Sequence, residues 1–226
     1  MKALMAMSTA RTVSDQVFER LRDDLRSNRF APGERLKFQE MRNRYQVGFG
    51  PLREALSRLA GLGLVSLVGQ KGFRAAALSP EDLLHLVENR RFLEERALRA
   101  SIEKGDERWE SNLFAAFHQL HKVTQRAPEI EEQYLTWERH HAAFHYALVS
   151  GCGSEWLLNA WRSTFDQAER YRRVSIGHGR WVIDQKDDHE RLLKASSARN
   201  AEKAIEILNR HIGQSALSLS KRLALG

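Results

Sequence analysis

The sequence has one cysteine, Cys152, among its 226 residues. That excludes an intrachain disulfide and every cysteine-based zinc motif. No run approaches the ~18 consecutive apolar residues of a membrane span, so no membrane partner is expected. The opening MKALMAMSTA is too short and too weakly apolar for a secretory signal, and a cytoplasmic address is expected. Internal repeats and low-complexity tracts are missing. Proline occurs only four times, each time as punctuation. With 42% apolar and 29% charged residues the chain is neither disordered nor collagen-like. Its length allows one large domain or two small ones, with a core that needs no staples.

What the chain does have is cationic charge in one place. Residues 1–78 hold 14 Lys and Arg against 7 Asp and Glu, whereas residues 79–226 hold 22 of each. The whole net charge of +7 lies in the first third. Such asymmetry points to a nucleic-acid-binding segment joined to a neutral one.

The pattern in that third is helix, helix, helix, hairpin. Val13, Val17, Leu21 and Leu25 recur every four residues, predicting an amphipathic helix over 11–28. Ala31-Pro32-Gly33 marks a turn, and residues 38–45 make a short second helix. Residues 46–50 read as a tight turn and 51–61 as a third helix, with Leu52, Ala55, Leu56 and Leu59 inward. Residues 64–68 and 73–77 read as strands around Gly69-Gln70-Lys71-Gly72. This order describes a winged helix-turn-helix. Ser79-Pro80-Glu81-Asp82 then opens a new helix as N-cap, proline and acidic first turn. The domain boundary is placed there, giving domains 1–78 and 79–226.

The remainder reads as helices near 80–104, 107–125, 129–149, 154–175, 180–197 and 200–223. Gly105, Pro128, Gly151-Cys152-Gly153, Gly177, Gly179 and Asn200 separate them. The expected fold class is mostly α: an N-terminal winged helix-turn-helix and a C-terminal antiparallel six-helix bundle.

Ala31-Pro32-Gly33-Glu34-Arg35-Leu36, Pro51-Leu52-Arg53-Glu54-Ala55-Leu56 and Gly63-Leu64-Val65 resemble the signature of the GntR family of bacterial transcription regulators. The helical part resembles that family's FadR-type effector domain, the FCD subgroup. The resemblance rests on Arg90-x-x-Leu93-Glu94, Phe144-His145, His189 and His211, and it spans residues 11–220. It implies a homodimer that binds double-stranded operator DNA and answers to a small carboxylate. The stretch Trp137–His145 with Gly151–Ser154 resembles a repressor branch, which implies a repressor with a glutarate-like dicarboxylate effector.

A recognition helix offers its N-terminal residues to the major groove. Arg53, read as lying on the first turn of the third helix, is the leading base- or phosphate-contacting candidate, and Arg58 is a weaker one further along. Lys71, with Gln70 and Gly72 at the wing tip, is expected to approach the backbone or minor groove. Gln39 occupies the position of a DNA-contacting arginine in many relatives. The usual Ser/Thr-Arg pair before the proline is here Gly48-Phe49, followed by Gly50. A hydroxyl and a guanidinium are lost, so base specificity must differ from the common family operator.

Four histidines lie on stripes that are otherwise apolar. His141 and His145 follow the spacing of Tyr134, Trp137, Phe144 and Leu148. His189 lies between Val182 and Leu192/Leu193, and His211 follows Ala204 and Leu208. A lone core histidine is ordinarily just hydrogen-bonded, but imidazoles at i and i+4 share one helix face and suit a shared metal. The resemblance implies a metal centre of His141, His145, His189 and His211. Metal-binding members usually carry an aspartate where this chain has His141. An all-neutral donor set favours zinc or nickel, and leaves an effector-only site as the alternative. Metal loss is expected below about pH 6.5. No organic cofactor is expected.

Arg90 sits on the stripe of Leu83, Leu86, Leu93 and Ala97. A buried guanidinium requires a partner. That partner is either Glu94, one turn on, or an effector carboxylate, which a planar fork suits. Tyr134, Arg170 and Arg172 are expected to help line the pocket, whereas His118 and His121 are expected outside it. The alternative class is a metal-dependent enzyme of a helical-bundle type. Against it, no nucleophile–base pair and no free carboxylate near the histidines is evident, and an enzyme leaves the basic third unexplained.

Overall fold

A computed structural model describes residues 12–125, 131–175 and 186–223. The chain divides into two compact units, Met1–Leu78 and Ser79–Gly226.

In the first unit α1 (Val13–Arg26) begins at Thr12, whose hydroxyl accepts from the Asp15 N–H while Asp15 reaches back to the Thr12 N–H. This capping box satisfies two orphan donors. Val17, Leu21 and Leu25 are buried with Phe18, whereas Val13 is exposed at the helix mouth. Next come α2 (Phe38–Tyr45) and α3 (Phe49–Gly61), joined through Gln46 in the left-handed region at φ 54°. Leu52, Ala55, Leu56 and Leu59 are all inward, as their spacing demands.

The third helix starts two residues earlier than expected. Gly48 is its N-cap, so Phe49, Gly50 and Pro51 form its first turn. Proline is tolerated there because the first N–H groups of a helix have no intrahelical acceptor. Arg53 is therefore in the second turn, not the first.

The sheet holds a strand that the sequence reading lacked. β1 (Arg35–Leu36) pairs antiparallel with β3 (Phe73–Ala75), which pairs with β2 (Val65–Leu67), giving the order β1-β3-β2. The two wing strands are shorter than the apolar runs 64–68 and 73–77. Between them Gly69–Lys71 make one 3₁₀ turn, and Gly72, at φ 82°, turns the chain back as few other residues could.

The second unit opens at Ser79, whose hydroxyl accepts from the Asp82 N–H and caps α4 (Pro80–Lys104). Then follow α5 (Glu107–Thr124), α6 (Glu131–Val149), a 3₁₀ turn at Ser150–Cys152, α7 (Glu155–Ser175), α8 (Lys186–Ser197) and α9 (Ala201–Leu223). The expected separators Pro128, Gly177 and Gly179, and Val182, lie outside the described residues. α4 packs on α7 and α9, α5 on α6 and α8, and α8 on α9. Trp109 and Trp137 are buried with their N–H groups donating to the Ala147 carbonyl (2.8 Å) and the Thr124 hydroxyl (3.1 Å). Cys152 is buried and free. Among the described residues no helix is long and apolar enough to cross a membrane.

Candidate metal centre and nucleic-acid interface

Three helices bring four histidines together. α6 supplies His141 and His145, α8 His189 and α9 His211, each no more than 3% exposed. One nitrogen of each lies within 4.8 Å of the others. Ring centroids are 4.4 Å apart for His141–His145 and 4.8 Å for His189–His211. Phe144 and Phe165 pack edge-on or tilted against them. Nε2 of His141, His145 and His189, and Nδ1 of His145 and His211, are buried without a hydrogen-bond partner among the described residues. Buried polar atoms are ordinarily satisfied. Converging lone pairs with no donor are what a divalent cation satisfies, so the residues present fit a metal.

The electrostatics agree. Burial pushes all four imidazoles below the ordinary histidine range, His189 to about 3, and the Arg172 guanidinium pushes the same way. At neutral pH the rings are uncharged, the form that ligates. The four do not wait for pH 6.5 to shed their protons. Inside the fold these shifts put proton competition for the rings below the ordinary histidine range.

Carboxylates do stand near the rings, though not as free groups. Glu169 lies 3.8 Å from His141 Nδ1, Glu94 4.0 Å from His145 Nδ1, and Asp188 3.9 Å from His211 Nδ1. None of the three is free. Arg172 pairs with Glu169 and Arg90 with Glu94, while Arg210 holds Asp188 at 2.6 Å. Arg90 thus has the one-turn partner Glu94, and its guanidinium also lies 4.9 Å over the Phe165 ring. The Arg172 guanidinium also lies 3.3 Å from His141 Nδ1.

Tyr134 is buried but lies under Arg173, which grips Glu138 at 2.6 Å. Burial first, and then the neighbouring Glu169, raise the Glu138 carboxyl to about 7. Arg170 is buried too, but it donates to Gln167, and its electrostatic neighbours are Tyr171 and Asp82. His118 is exposed and His121 half-buried, and neither belongs to the cluster. The reading from sequence missed Glu138, Glu169 and Asp188. A signal existed: Glu138 shares the stripe of Tyr134, His141 and His145, and Glu169 that of Phe165 and Arg172.

In the first unit Gln39, Gly48, Phe49, Gly50, Arg53, Arg58 and Lys71 are exposed, and Gly72 is half-buried. Arg53 has no ion-pair or hydrogen-bond partner among the described residues. Arg58 is committed instead: it reaches Asp15 at 2.8 Å and stacks 4.2 Å over Phe18, tying α3 to α1. Gln39 donates to Asn43 at 3.2 Å. The Gln70 side chain lies outside what is described.

Residues 13–74 match the bacterial regulatory proteins of the gntR family, and residues 85–214 match the FCD domain. The chain belongs to the GntR family, with an FCD domain as its second unit. GntR relatives cover nearly all of it. The uncharacterized HTH-type transcriptional regulator BphR of Paraburkholderia xenovorans (strain LB400) is 34% identical over 220 residues, 97% of this chain and 89% of that one. The HTH-type transcriptional repressor GlaR of Escherichia coli (strain K12) is 36% identical over 197 residues, 85% and 89% of the two chains. The E. coli McbR/YncC structure shares the fold, with a TM-score of 0.80 at 18% identity, covering 93% of this chain and 98% of that one. This GntR protein is a DNA-binding transcriptional regulator, and the enzyme alternative has no support.

Proposed function

We propose that this chain is a ligand-responsive repressor, acting in the cytoplasm as a homodimer. Residues 1–78 read a two-fold operator, and residues 79–226 bind the effector and dimerise. The FCD unit holds one divalent ion, zinc or nickel, at His141, His145, His189 and His211. The observation that carries this reading is the set of buried imidazole nitrogens left without partners. The ion would supply a Lewis-acidic point of attachment for an anion.

The effector is a small, glutarate-like carboxylate. Arg90 and Arg172 stand close enough to the four rings to lower their proton affinity. Their positive charge favours an anion beside the metal. The repressor sign follows the likeness to the repressor GlaR, and the effector class follows the resemblance carried by Trp137–His145 and Gly151–Ser154. The test is a thermal-shift screen of glutarate and its shorter and longer homologues, with and without chelator. A dicarboxylate will raise the melting temperature only in the metal-loaded protein. Equal shifts with chelator present would leave the pocket but remove the metal from effector binding.

The carboxylates beside Nδ1 have a role in this reading. A ligating histidine usually presents its second nitrogen to a carboxylate, which fixes the ring and strengthens the donor. Asp188→Asn will weaken zinc binding about 10- to 100-fold in competition with a chromophoric chelator, with the circular dichroism spectrum unchanged. Asp188 is the informative choice because its partner Arg210 is partly exposed and can turn to water. Unaltered affinity would count against the orienting role.

A further inference from the structure

Phe49 has no account inside the fold. It is the first residue of α3, it is 51% exposed, and it carries no polar atom to solvate. Yet it is not loose. Its ring stacks on Phe38 at 4.7 Å with an interplanar angle of 24°, and Phe38 meets Phe73 edge-on at 6.0 Å. Phe73 is buried in the wing sheet. An aromatic column therefore runs from the core to the surface and holds the last ring in one orientation. An apolar side chain left half in water and held still is the signature of a contact surface, not of core packing.

Its neighbours point the same way. Gly48 and Gly50 flank the ring, and neither has the positive φ that would demand glycine. A Cβ at Gly50 would meet nothing within 4 Å, and at Gly48 only the Pro51 ring at 4.0 Å. Gly48 is an N-cap, where glycine is favoured, but at Gly50, inside the helix, glycine costs up to about 1 kcal/mol against alanine, and nothing within the fold requires it there. What the two glycines provide is clear space outside, on both sides of a rigid ring, at the end of the helix that enters the major groove.

We infer that Phe49 is a specificity-determining residue that reads a thymine through its C5-methyl group. Thymine is the base that offers carbon in the major groove, and apolar side chains read it there. The ring has no donor for the N7 and O6 acceptors of guanine, which a guanidinium in that position would address. The flanking glycines let the helix end come close enough for carbon–carbon contact. The inference rests on the reading of residues 1–78 as the operator-binding unit.

The experiment uses the full chain and the tightest duplex it recovers from a randomised pool. Each thymine is replaced in turn by deoxyuridine, which removes only the methyl group. One symmetry-related pair of positions will lose about fourfold in affinity per half-site, the worth of burying one methyl group. Phe49→Ala will bind more weakly and will no longer distinguish thymine from deoxyuridine at that pair, while keeping its melting temperature. Phe49→Leu will keep part of the discrimination. If no deoxyuridine position matters to the wild type, or if Phe49→Ala still discriminates, the inference is overturned. If the wild type enriches no duplex at all, the operator-binding reading falls first, and the inference with it.

Discussion

Stripped of metal by chelator, the protein will lose stability steeply between about pH 6.5 and pH 4.5. The cause is the four buried imidazoles, all held below the ordinary histidine range by burial. In the unfolded chain they take up protons from about pH 6.5 downward, while in the folded chain they do not. The unfolded state then binds more protons, so stability falls as pH falls, until the folded-state pKa is reached. His189, held at about 3 in the fold, contributes to the loss across this whole window. The other three shift the same way and add to the loss in the same direction. Zinc or nickel will oppose this, because an ion that binds only the folded form at a thousand times its Kd adds about 4 kcal/mol. Chemical denaturation at pH 7, 5.5 and 4.5, with and without metal, checks both halves. A metal-free protein equally stable at pH 7 and 5.5 would show that the four rings are not buried together, and no gain with either metal would reject the centre.

Arg53→Ala will weaken operator binding by about 1–3 kcal/mol per half-site if the contact reads a base edge. In a two-fold complex both half-sites are affected, so the loss approaches the gap between specific and non-specific binding. The contrast with Arg58 makes the test internal. Arg58 already spends its charge on Asp15 and its flat face on Phe18, so Arg58→Ala will cost chiefly fold stability. A mobility-shift titration of both variants, with salt held fixed, separates the two roles. Equal losses for both would withdraw the assignment of Arg53.

Local periodicity carried the fold far. The stripe Leu52, Ala55, Leu56, Leu59 and the capping sequence at Ser79 each state a helix in a few adjacent residues, and each is where it was read. The pair His141 and His145 is equally local, since i, i+4 needs only the helix pitch. β1 was not legible, because two residues have no period and exist as a strand only through β3, more than thirty residues on. The start of α3 was misread for another reason. Gly48 and Gly50 look like loop and Pro51 like a helix start, although glycine is allowed at an N-cap and proline anywhere in a first turn. The partners of the buried arginines divide along the same line. Arg90–Glu94 and Arg172–Glu169 lie within one helix, whereas Arg173–Glu138 joins α7 to α6. Nothing in the sequence states that crossing.

The junction at Ser79 has a consequence for how such a chain can be rebuilt. Ser79 closes the first turn of α4 with its own hydroxyl and carbonyl, and its N–H is taken by Tyr171 of the same unit. On the other side, Ala75 and Ala76 bond back to Glu34 and Leu64. Each half thus finishes its own hydrogen bonding before the chain crosses over. A cut between Leu78 and Ser79 orphans nothing described on either side. The junction is therefore a natural splice point, at which one unit can be exchanged without opening a hydrogen bond described in the other.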